Sequence, residues 1–235
     1  MSRLIDAARL NTAQLPHLNP AEVTVLFQDD ALLVVLKPAG LLSVPGRGAD
    51  KQDCLSARVQ GVFPDALVVH RLDMATSGLM LMARGIAAQR VLNHAFAHRQ
   101  IDKTYEAVVA GHLASPVAEW GVIDLPIAVD WPHRPLRIID PLHGKPSLTR
   151  WRVLQHLEYT PGHQVTRVEL EPVTGRSHQL RVHLQALGHP ILGDALYANA
   201  AVREQAHRLL LHASTLSFAH PTTGEWLGFS CPPAF

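Results

Sequence analysis

Apolar and polar positions alternate over short runs along most of the chain, a pattern typical of β-strands. The runs at 23–27 and 32–36 flank a polar turn and predict a β-hairpin, which ends at Lys37-Pro38 because proline cannot continue a strand ladder. Further strands are predicted at 67–69, 78–83, 103–110, 147–157, 164–173, 209–211, 215–218 and 226–229.

A spacing of three to four residues between apolar positions predicts three helices. They cover residues 53–62, 86–98 and 177–188. In the last one Leu180, Leu184 and Leu187 share a face, and Ser177 and Gly188 suit the N-cap and C′ positions. Arg181 lies beside this apolar stripe, so we expect it to be partly buried with its guanidinium directed outward.

The order of these elements predicts an α+β fold with a large, mixed and mostly antiparallel sheet flanked by helices and loops. The chain has 235 residues, of which 47% are hydrophobic and 17% charged, which indicates a globular protein with a sizeable core. Residues 1–20 are expected to be a loosely ordered N-terminal extension, and residues 21–235 one catalytic domain.

The charge balance is nearly even, with a formal net charge of +1. Basic residues are concentrated in two stretches, which favours local attraction of phosphates. The stretches comprise Arg84, Arg90, Arg99 and Lys103, and then Arg134, Arg137, Lys145, Arg150 and Arg152. Two cysteines, Cys54 and Cys231, argue against a disulfide scaffold. With no secretory signal and no apolar run of about 20 residues, a cytoplasmic protein with no membrane partner is expected.

The ten residues from His70 to Leu79, HRLDMATSGL, are the strongest chemical signal. They follow the apolar run 67–69 and place Arg71 two positions before Asp73, ahead of a Thr-Ser-Gly turn. A buried strand that leads into a polar turn holds a carboxylate rigidly at the lip of a cleft. Asp73 is therefore the first candidate for a catalytic residue, although an aspartate taken alone is more often solvated or caps a turn.

Five other stretches belong with this one. They are LKPAGLLSVPG (36–46), KTY (103–105), TGRSHQLRVH (174–183), HPILGDALY (189–197) and RLLLHASTLSFAHPTTGE (208–225). With HRLDMATSG they resemble, in order, the motifs of the RluA-type pseudouridine synthases, which isomerise uridine within RNA. The resemblance is closest to the short dual-specificity branch without a separate S4 RNA-binding domain, and departs from it at Ser147, where Ala is expected. It implies the pseudouridine synthase catalytic fold around an active-site cleft.

The resemblance assigns three catalytic residues. Asp73 matches the carboxylate that stabilises or bonds the sugar as positive charge develops at C1′. Arg181 matches an arginine that pairs with this carboxylate and keeps it ionised. Tyr105 matches the tyrosine that stacks on the target base and takes part in the proton step at C5. A covalent sugar–enzyme adduct and a glycal route both remain open. RNA contacts are implied for His70, Arg71, Thr76, Lys103 and Arg176.

The implied partner is RNA, as a 23S rRNA hairpin loop, a tRNA anticodon loop, or both. The target base must flip out of its stack, which costs less in a loop than in a duplex. No cofactor is expected, since an isomerisation changes no oxidation state. No metal is expected either, because His178 and His183 are five residues apart, about 140° around a helix. No obligatory protein partner is predicted.

Two other functions use similar residues. A glycosidase or nucleosidase also places a carboxylate near C1′, but it usually needs a second carboxylate, and the motif of Asp73 contains none. A non-catalytic RNA-binding module has no need of a carboxylate that faces phosphates. Release of free uracil or sugar would favour the hydrolase, and an unmodified RNA product would favour the binding module.

Overall fold

The computed structural model describes residues 3–6, 17–18, 23–160 and 162–235. The chain forms two compact units. One contains the residues up to 103 together with 212–234, and the other contains residues 104–211 together with Phe235. No helix in the described part of the chain is long and apolar enough to cross a membrane.

Strands outnumber helices. In chain order the strands are β1 (Arg3–Asp6), β2 (His17–Leu18), β3 (Val23–Gln28), β4 (Leu32–Lys37), β5 (Ala66–Val68), β6 (Ser77–Arg84), β7 (Asp102–Ala110), β8 (Gly121–Asp124), β9 (Ile127–Val129), β10 (Arg137–Ile139), β11 (Leu148–Thr160), β12 (His163–Pro172), β13 (Leu211–Ala219) and β14 (Trp226–Ser230). The helices are α1 (Leu55–Gln60), α2 (Gly85–Ala97), α3 (Gln179–Ala186) and α4 (Ala200–Arg203), with a 3₁₀ turn at Ala49–Lys51.

The sheet of the first unit is mixed, with strands in the order β2-β3-β4-β6-β13-β14-β1. The β6–β13 and β14–β1 pairs are parallel, and the other pairs are antiparallel. One edge of β6 pairs with β4. The other edge pairs with β13 at Ser77–Gly78 and with β5 at Met82–Arg84. Residues 79–81 of β6 lie between these two pairings.

The core of the first unit lies on both faces of its sheet. Successive side chains of a strand point to opposite faces. Leu32 and Val34 of β4 therefore belong to one apolar cluster, with Leu92 of α2, while Leu33 and Val35 belong to another, with α1. Because both faces are covered, β4 is apolar at nearly every position and not alternating.

The second unit contains an antiparallel sheet in the order β7-β12-β11-β8. Strands β9 and β10 form a separate antiparallel hairpin. Helix α3 contacts β10, β11 and β12. It ends in a Schellman motif, in which the Gly188 N–H donates to the Gln185 carbonyl and the His189 N–H donates to the Leu184 carbonyl. Gly188 supplies the left-handed residue at φ 82° that this motif requires.

The predicted α+β class and mixed sheet are confirmed, as are the first hairpin and the three longer helices, each within a few residues. Some details were wrong. Helix α3 begins at Gln179 after a left-handed His178, so Ser177 is not its N-cap. Leu187 is 37% exposed and does not extend the buried stripe. Strand β13 covers Leu211–Ala219, so it contains the predicted strand at 215–218 but only the last residue of the one predicted at 209–211.

The predicted extension contains two strands. Residues 3–6 pair with β14 and residues 17–18 pair with β3. The rest of residues 1–20 lies outside the described residues. The division into an extension and one catalytic domain at residue 21 stays a prediction.

Candidate active site

Asp73 lies in a tight turn between β5 and β6. The Thr76 N–H donates to the Asp73 carbonyl at 3.1 Å and closes the turn, and Asp73 is half-buried. Thr76 itself is 3% exposed. A backbone hydrogen bond thus holds the turn that carries Asp73.

Ser43 fixes the residue before the catalytic candidate. Its hydroxyl donates to the Leu72 carbonyl at 2.7 Å and accepts from the Leu72 N–H at 3.1 Å. Both side chains are buried, so neither backbone group of Leu72 has water as an alternative partner. Ser43 therefore fixes the position of the Leu72 backbone, which immediately precedes Asp73.

Lys37 fixes the other side of the turn, although it ends an apolar strand and is 0% exposed. Its ammonium group donates to three carbonyl oxygens, those of Pro38 at 2.8 Å, Leu41 at 2.7 Å and Met74 at 3.0 Å. Burial lowers the pKa of Lys37 to about 8, an effect that the negative charge of Asp73 opposes. The buried Lys37 ammonium thus interacts electrostatically with Asp73 and holds the next residue, Met74, in place.

The glycine of the motif is required by the neighbouring strand. A Cβ on Gly78 would lie 2.4 Å from the backbone N and O of Ala213, and its φ is 121°. Next to it, the Ser77 hydroxyl bonds His212 Nδ1 at 2.8 Å, while His212 Nε2 lies 3.1 Å from the Cys231 carbonyl. Because a carbonyl only accepts, Nε2 carries the proton and Ser77 is the donor.

His70 is held inside the first unit. Its Nε2 accepts from the Leu81 N–H at 2.8 Å, in the gap that β13 and β5 leave along β6, and its ring stacks on Phe96. Burial, reinforced by the positive charge of Lys103, lowers the pKa of His70 to about 3, so the ring is neutral. The Lys103 ammonium lies 5.7 Å from the Phe96 ring centre, and burial lowers its pKa too.

The other predicted RNA contacts differ in exposure. Arg71 and Arg176 are exposed, with Arg176 Nε 3.4 Å from the Pro146 carbonyl. Exposed guanidinium groups suit phosphates. The buried side chain of Thr76 has little access to RNA, and the structure gives it a part in the turn. The RNA contacts of His70, Arg71, Thr76, Lys103 and Arg176 all stay predictions.

Tyr105 and Arg181 belong to the second unit. Tyr105 is half-buried on β7, opposite Leu170 of β12. Arg181 is 4% exposed, and its Nε and Nη2 form a bidentate pair with Oδ2 and Oδ1 of Asp194 at 2.8 and 2.6 Å. The expectation that the Arg181 guanidinium points outward was therefore wrong, because a fully buried carboxylate holds it within the protein. The predicted pair of Asp73 and Arg181 and the predicted stacking of Tyr105 on the target base stay predictions.

The turn before α3 is organised by Gln179, which is buried. Its Oε1 accepts from the Thr174 hydroxyl at 2.7 Å and from the Arg176 N–H at 3.0 Å, while its Nε2 donates to the Leu148 carbonyl at 2.9 Å. This amide orients the first turn of the helix that carries Arg181. Within residues 3–6, 17–18, 23–160 and 162–235, no three His, Cys, Asp or Glu side chains are placed to hold a metal ion.

Known proteins match this chain over most of its length. The profile of the family described as RNA pseudouridylate synthase matches residues 31–186. The chain belongs to this family. It is 48% identical over 217 residues to the dual-specificity RNA pseudouridine synthase RluA of Vibrio vulnificus, covering 92% of this chain and 85% of that one. The RluA of Yersinia pestis is 48% identical over 211 residues, 90% of this chain and 99% of its own.

A solved structure agrees with these relatives. Human RNA pseudouridylate synthase domain containing 1 superimposes with a TM-score of 0.75 at 32% identity, over 92% of this chain and 87% of the human chain. The protein is thus an RNA pseudouridine synthase, an isomerase, as the resemblance implied.

Three residues that structure the site were not singled out from the sequence, namely Lys37, Ser43 and Asp194. All lie in stretches that carry the resemblance. A lysine that ends the apolar run LLVVLK was a signal for a buried cation. Nothing in the sequence marked Ser43, because its partner Leu72 is 29 residues away. Asp194 follows an apolar pair and a glycine, but its ion pair depends on how the loop folds back on α3.

Proposed function

We propose that this synthase isomerises uridine in two kinds of RNA, a hairpin loop of 23S rRNA and the anticodon loop of tRNA, with Asp73 as its catalytic carboxylate. Support for two substrates comes from the relatives called dual-specificity, which are 46–50% identical to this chain over 86–92% of its length. Support for Asp73 comes from its place in a half-buried turn that hydrogen bonds to Leu72 and Met74 hold on both sides.

The reaction breaks the C1′–N1 bond, turns the uracil and joins its C5 to C1′. Positive charge develops on the sugar as the bond breaks, so a carboxylate beside C1′ stabilises it or bonds to it. The proton on C5 must then leave for the base to become aromatic again. The turn contributes pre-organisation, because Lys37 and Ser43 hold the residues on either side of Asp73 before RNA arrives.

Arg181 and Tyr105 complete the proposed machinery. The Arg181 guanidinium provides the cation that keeps Asp73 ionised, and Asp194 holds this guanidinium in one orientation. Tyr105 stacks on the flipped uracil, with its hydroxyl available for the proton step at C5. The exposed Arg71 enters the space in the RNA that the base leaves.

The proposal is tested with two transcripts, a 23S rRNA hairpin and a tRNA anticodon stem-loop, each incubated with the purified protein. Pseudouridine is then mapped to the nucleotide in each RNA. We expect one modified uridine in each loop and none in a matched transcript whose loop uridines are cytidines. Modification of only one RNA would overturn the dual specificity. Release of free uracil without pseudouridine would indicate a hydrolase instead.

The same question is answered in cells by a strain that lacks the gene. We expect one pseudouridine to be lost from 23S rRNA and one from tRNA. Both should return with the wild-type gene and not with a gene that encodes Asp73→Asn. Unchanged modification of both RNAs in the deletion strain would contradict the assignment.

A further inference from the structure

The loop at residues 130–136, between β9 and β10, carries an exposed aromatic side chain. Trp131 is 69% exposed, more than any other of the four tryptophans. The Arg134 guanidinium lies over its ring at 3.4 Å from the ring centre. A large aromatic surface left in water is unfavourable, so a well-placed exposed indole indicates a binding role.

The charge of this loop favours an anionic partner. From residue 130 to residue 137 the chain has one acid, Asp130, and two arginines, Arg134 and Arg137. Asp130 is mostly buried and lies 3.0 Å from His133 Nδ1. The Arg134 guanidinium, which lies over the indole, has N–H groups that can donate to phosphate.

The hairpin is connected to the helix that carries the proposed catalytic arginine. The Arg137 N–H donates to the Tyr197 hydroxyl at 3.0 Å, and this hydroxyl also bonds His178 Nδ1 at 2.6 Å. The Arg181 guanidinium lies over the Tyr197 ring at 5.0 Å. Asp194, the partner of Arg181, accepts from the Tyr197 N–H at 3.1 Å. Tyr197 therefore ties the base of the hairpin and Arg181 to one framework.

We propose that the tip of the β9–β10 hairpin is an RNA-binding element, in which the Trp131 indole stacks on an unpaired base and Arg134 contacts a neighbouring phosphate. An indole stacks on any base, and the loop of a stem-loop offers unpaired ones. The proposal rests on the proposed function, since it takes the substrate to be a structured RNA. It assigns to this hairpin a share of the RNA recognition that the near-neutral net charge leaves unexplained.

The test measures steady-state isomerisation of the tRNA anticodon stem-loop by Trp131→Ala, Trp131→Phe and Arg134→Ala. Loss of one stacked base predicts that Trp131→Ala raises KM about tenfold with little change in kcat, while Trp131→Phe stays close to wild type. Arg134→Ala should also raise KM and make it less dependent on salt, by about one unit in the log–log slope. Trp226→Ala removes a partly exposed tryptophan from β14 and serves as the matched control.

A binding measurement separates this proposal from the proposed function. The same hairpin variants are made in the Asp73→Asn protein, and affinity for the stem-loop is measured without turnover. A wild-type KM and affinity for Trp131→Ala, in an enzyme that modifies the RNA, would overturn the hairpin proposal alone. An equal loss of affinity in Trp226→Ala would overturn it too. If the unsubstituted protein binds but does not modify the RNA, the proposed function fails, and the affinities still decide the role of the hairpin.

Discussion

The side-chain hydroxyl of Ser43 hydrogen-bonds both backbone groups of Leu72, donating to its carbonyl and accepting from its N–H. These atoms lie one residue before Asp73, and both side chains are buried. The Ser43 hydroxyl thus satisfies the backbone N–H and carbonyl of Leu72, as the backbone of a paired strand does elsewhere in the sheet. Under the proposed function, Ser43 is a positioning residue, which would act on the reaction only through the backbone that carries Asp73.

Ser43→Ala should lower kcat about tenfold and leave KM for RNA nearly unchanged, because a small displacement of a catalytic group costs rate more than binding. It should also lower the free energy of unfolding by about 1–3 kcal/mol, since two buried backbone groups lose their partner. Steady-state kinetics and urea unfolding measure the two effects.

Ser147→Ala provides the control for this substitution. Ser147 is a buried serine of the second unit whose hydroxyl donates to the Lys145 carbonyl at 2.8 Å, and it stands where the family is expected to have alanine. The kcat of the Ser147→Ala enzyme should match that of the wild-type enzyme. A Ser43→Ala enzyme with the kcat of the Ser147→Ala enzyme would show that the clamp on Leu72 is irrelevant to the rate.

The lowered pKa of Lys37 predicts that the rate of the reaction depends on pH. Burial lowers its pKa to about 8, so the ammonium is protonated below this pH and loses its charge as the pH rises through it. A neutral amine has two N–H donors for three carbonyls and no charge near Asp73. We therefore expect kcat/KM to fall above pH 8, as the turn that carries Asp73 loosens.

Lys37→Arg isolates this effect, because arginine stays protonated throughout the range. The ratio of wild-type to Lys37→Arg kcat/KM, measured on one RNA from pH 6 to pH 10, cancels the titration of the uridine itself. We expect the ratio to decline through about pH 8. A ratio that is constant with pH would show that the charge of Lys37 does not influence the reaction.

Asp194→Asn should be strongly destabilising. It takes the negative charge from the carboxylate that binds the buried Arg181 guanidinium at two positions, and breaking a buried pair in this way costs about 3–5 kcal/mol. Glu171→Gln, which breaks the exposed pair of Arg150 and Glu171 in the same unit, should cost less than about 1 kcal/mol. Urea unfolding of both variants makes the comparison, and similar midpoints would contradict the importance of the buried pair.

A double substitution separates stability from activity at this pair. Arg181→Met with Asp194→Asn removes both charges and keeps an amide oxygen for the Leu196 and Tyr197 N–H groups, so it avoids leaving a buried cation that has lost its carboxylate. We expect this variant to unfold at a higher urea concentration than Asp194→Asn and to release no product. Wild-type activity in the double variant would remove Arg181 from the proposed machinery.

The repeating patterns of the chain made much of the fold predictable. The hairpin of β3 and β4 and the helix α2 follow from apolar spacing alone. Strands β8, β9 and β10 have three or four residues each, too few for alternation to show. The start of β13 is not visible in the sequence because the polar residues His212 and Ser214 interrupt the apolar pattern there, although both are buried.

Only those parts of the candidate site that form a continuous motif could be predicted from the sequence. Asp73 stands out because its motif is continuous. The residues that hold its turn in place are distant in sequence. Lys37 lies 37 residues before Met74 and Ser43 lies 29 residues before Leu72. Arg181 was expected to reach solvent because helical spacing shows the apolar stripe of α3 but not the loop beyond it, which supplies the buried Asp194.

The central claim is that the Asp73 carboxylate carries out the isomerisation. Release of tritium from RNA labelled at uridine C5 reports the reaction directly, because forming the new bond at C5 expels that hydrogen. We predict steady release by the wild-type protein and none by Asp73→Asn, with both proteins binding the RNA equally. Release by Asp73→Asn at the wild-type rate would contradict the account.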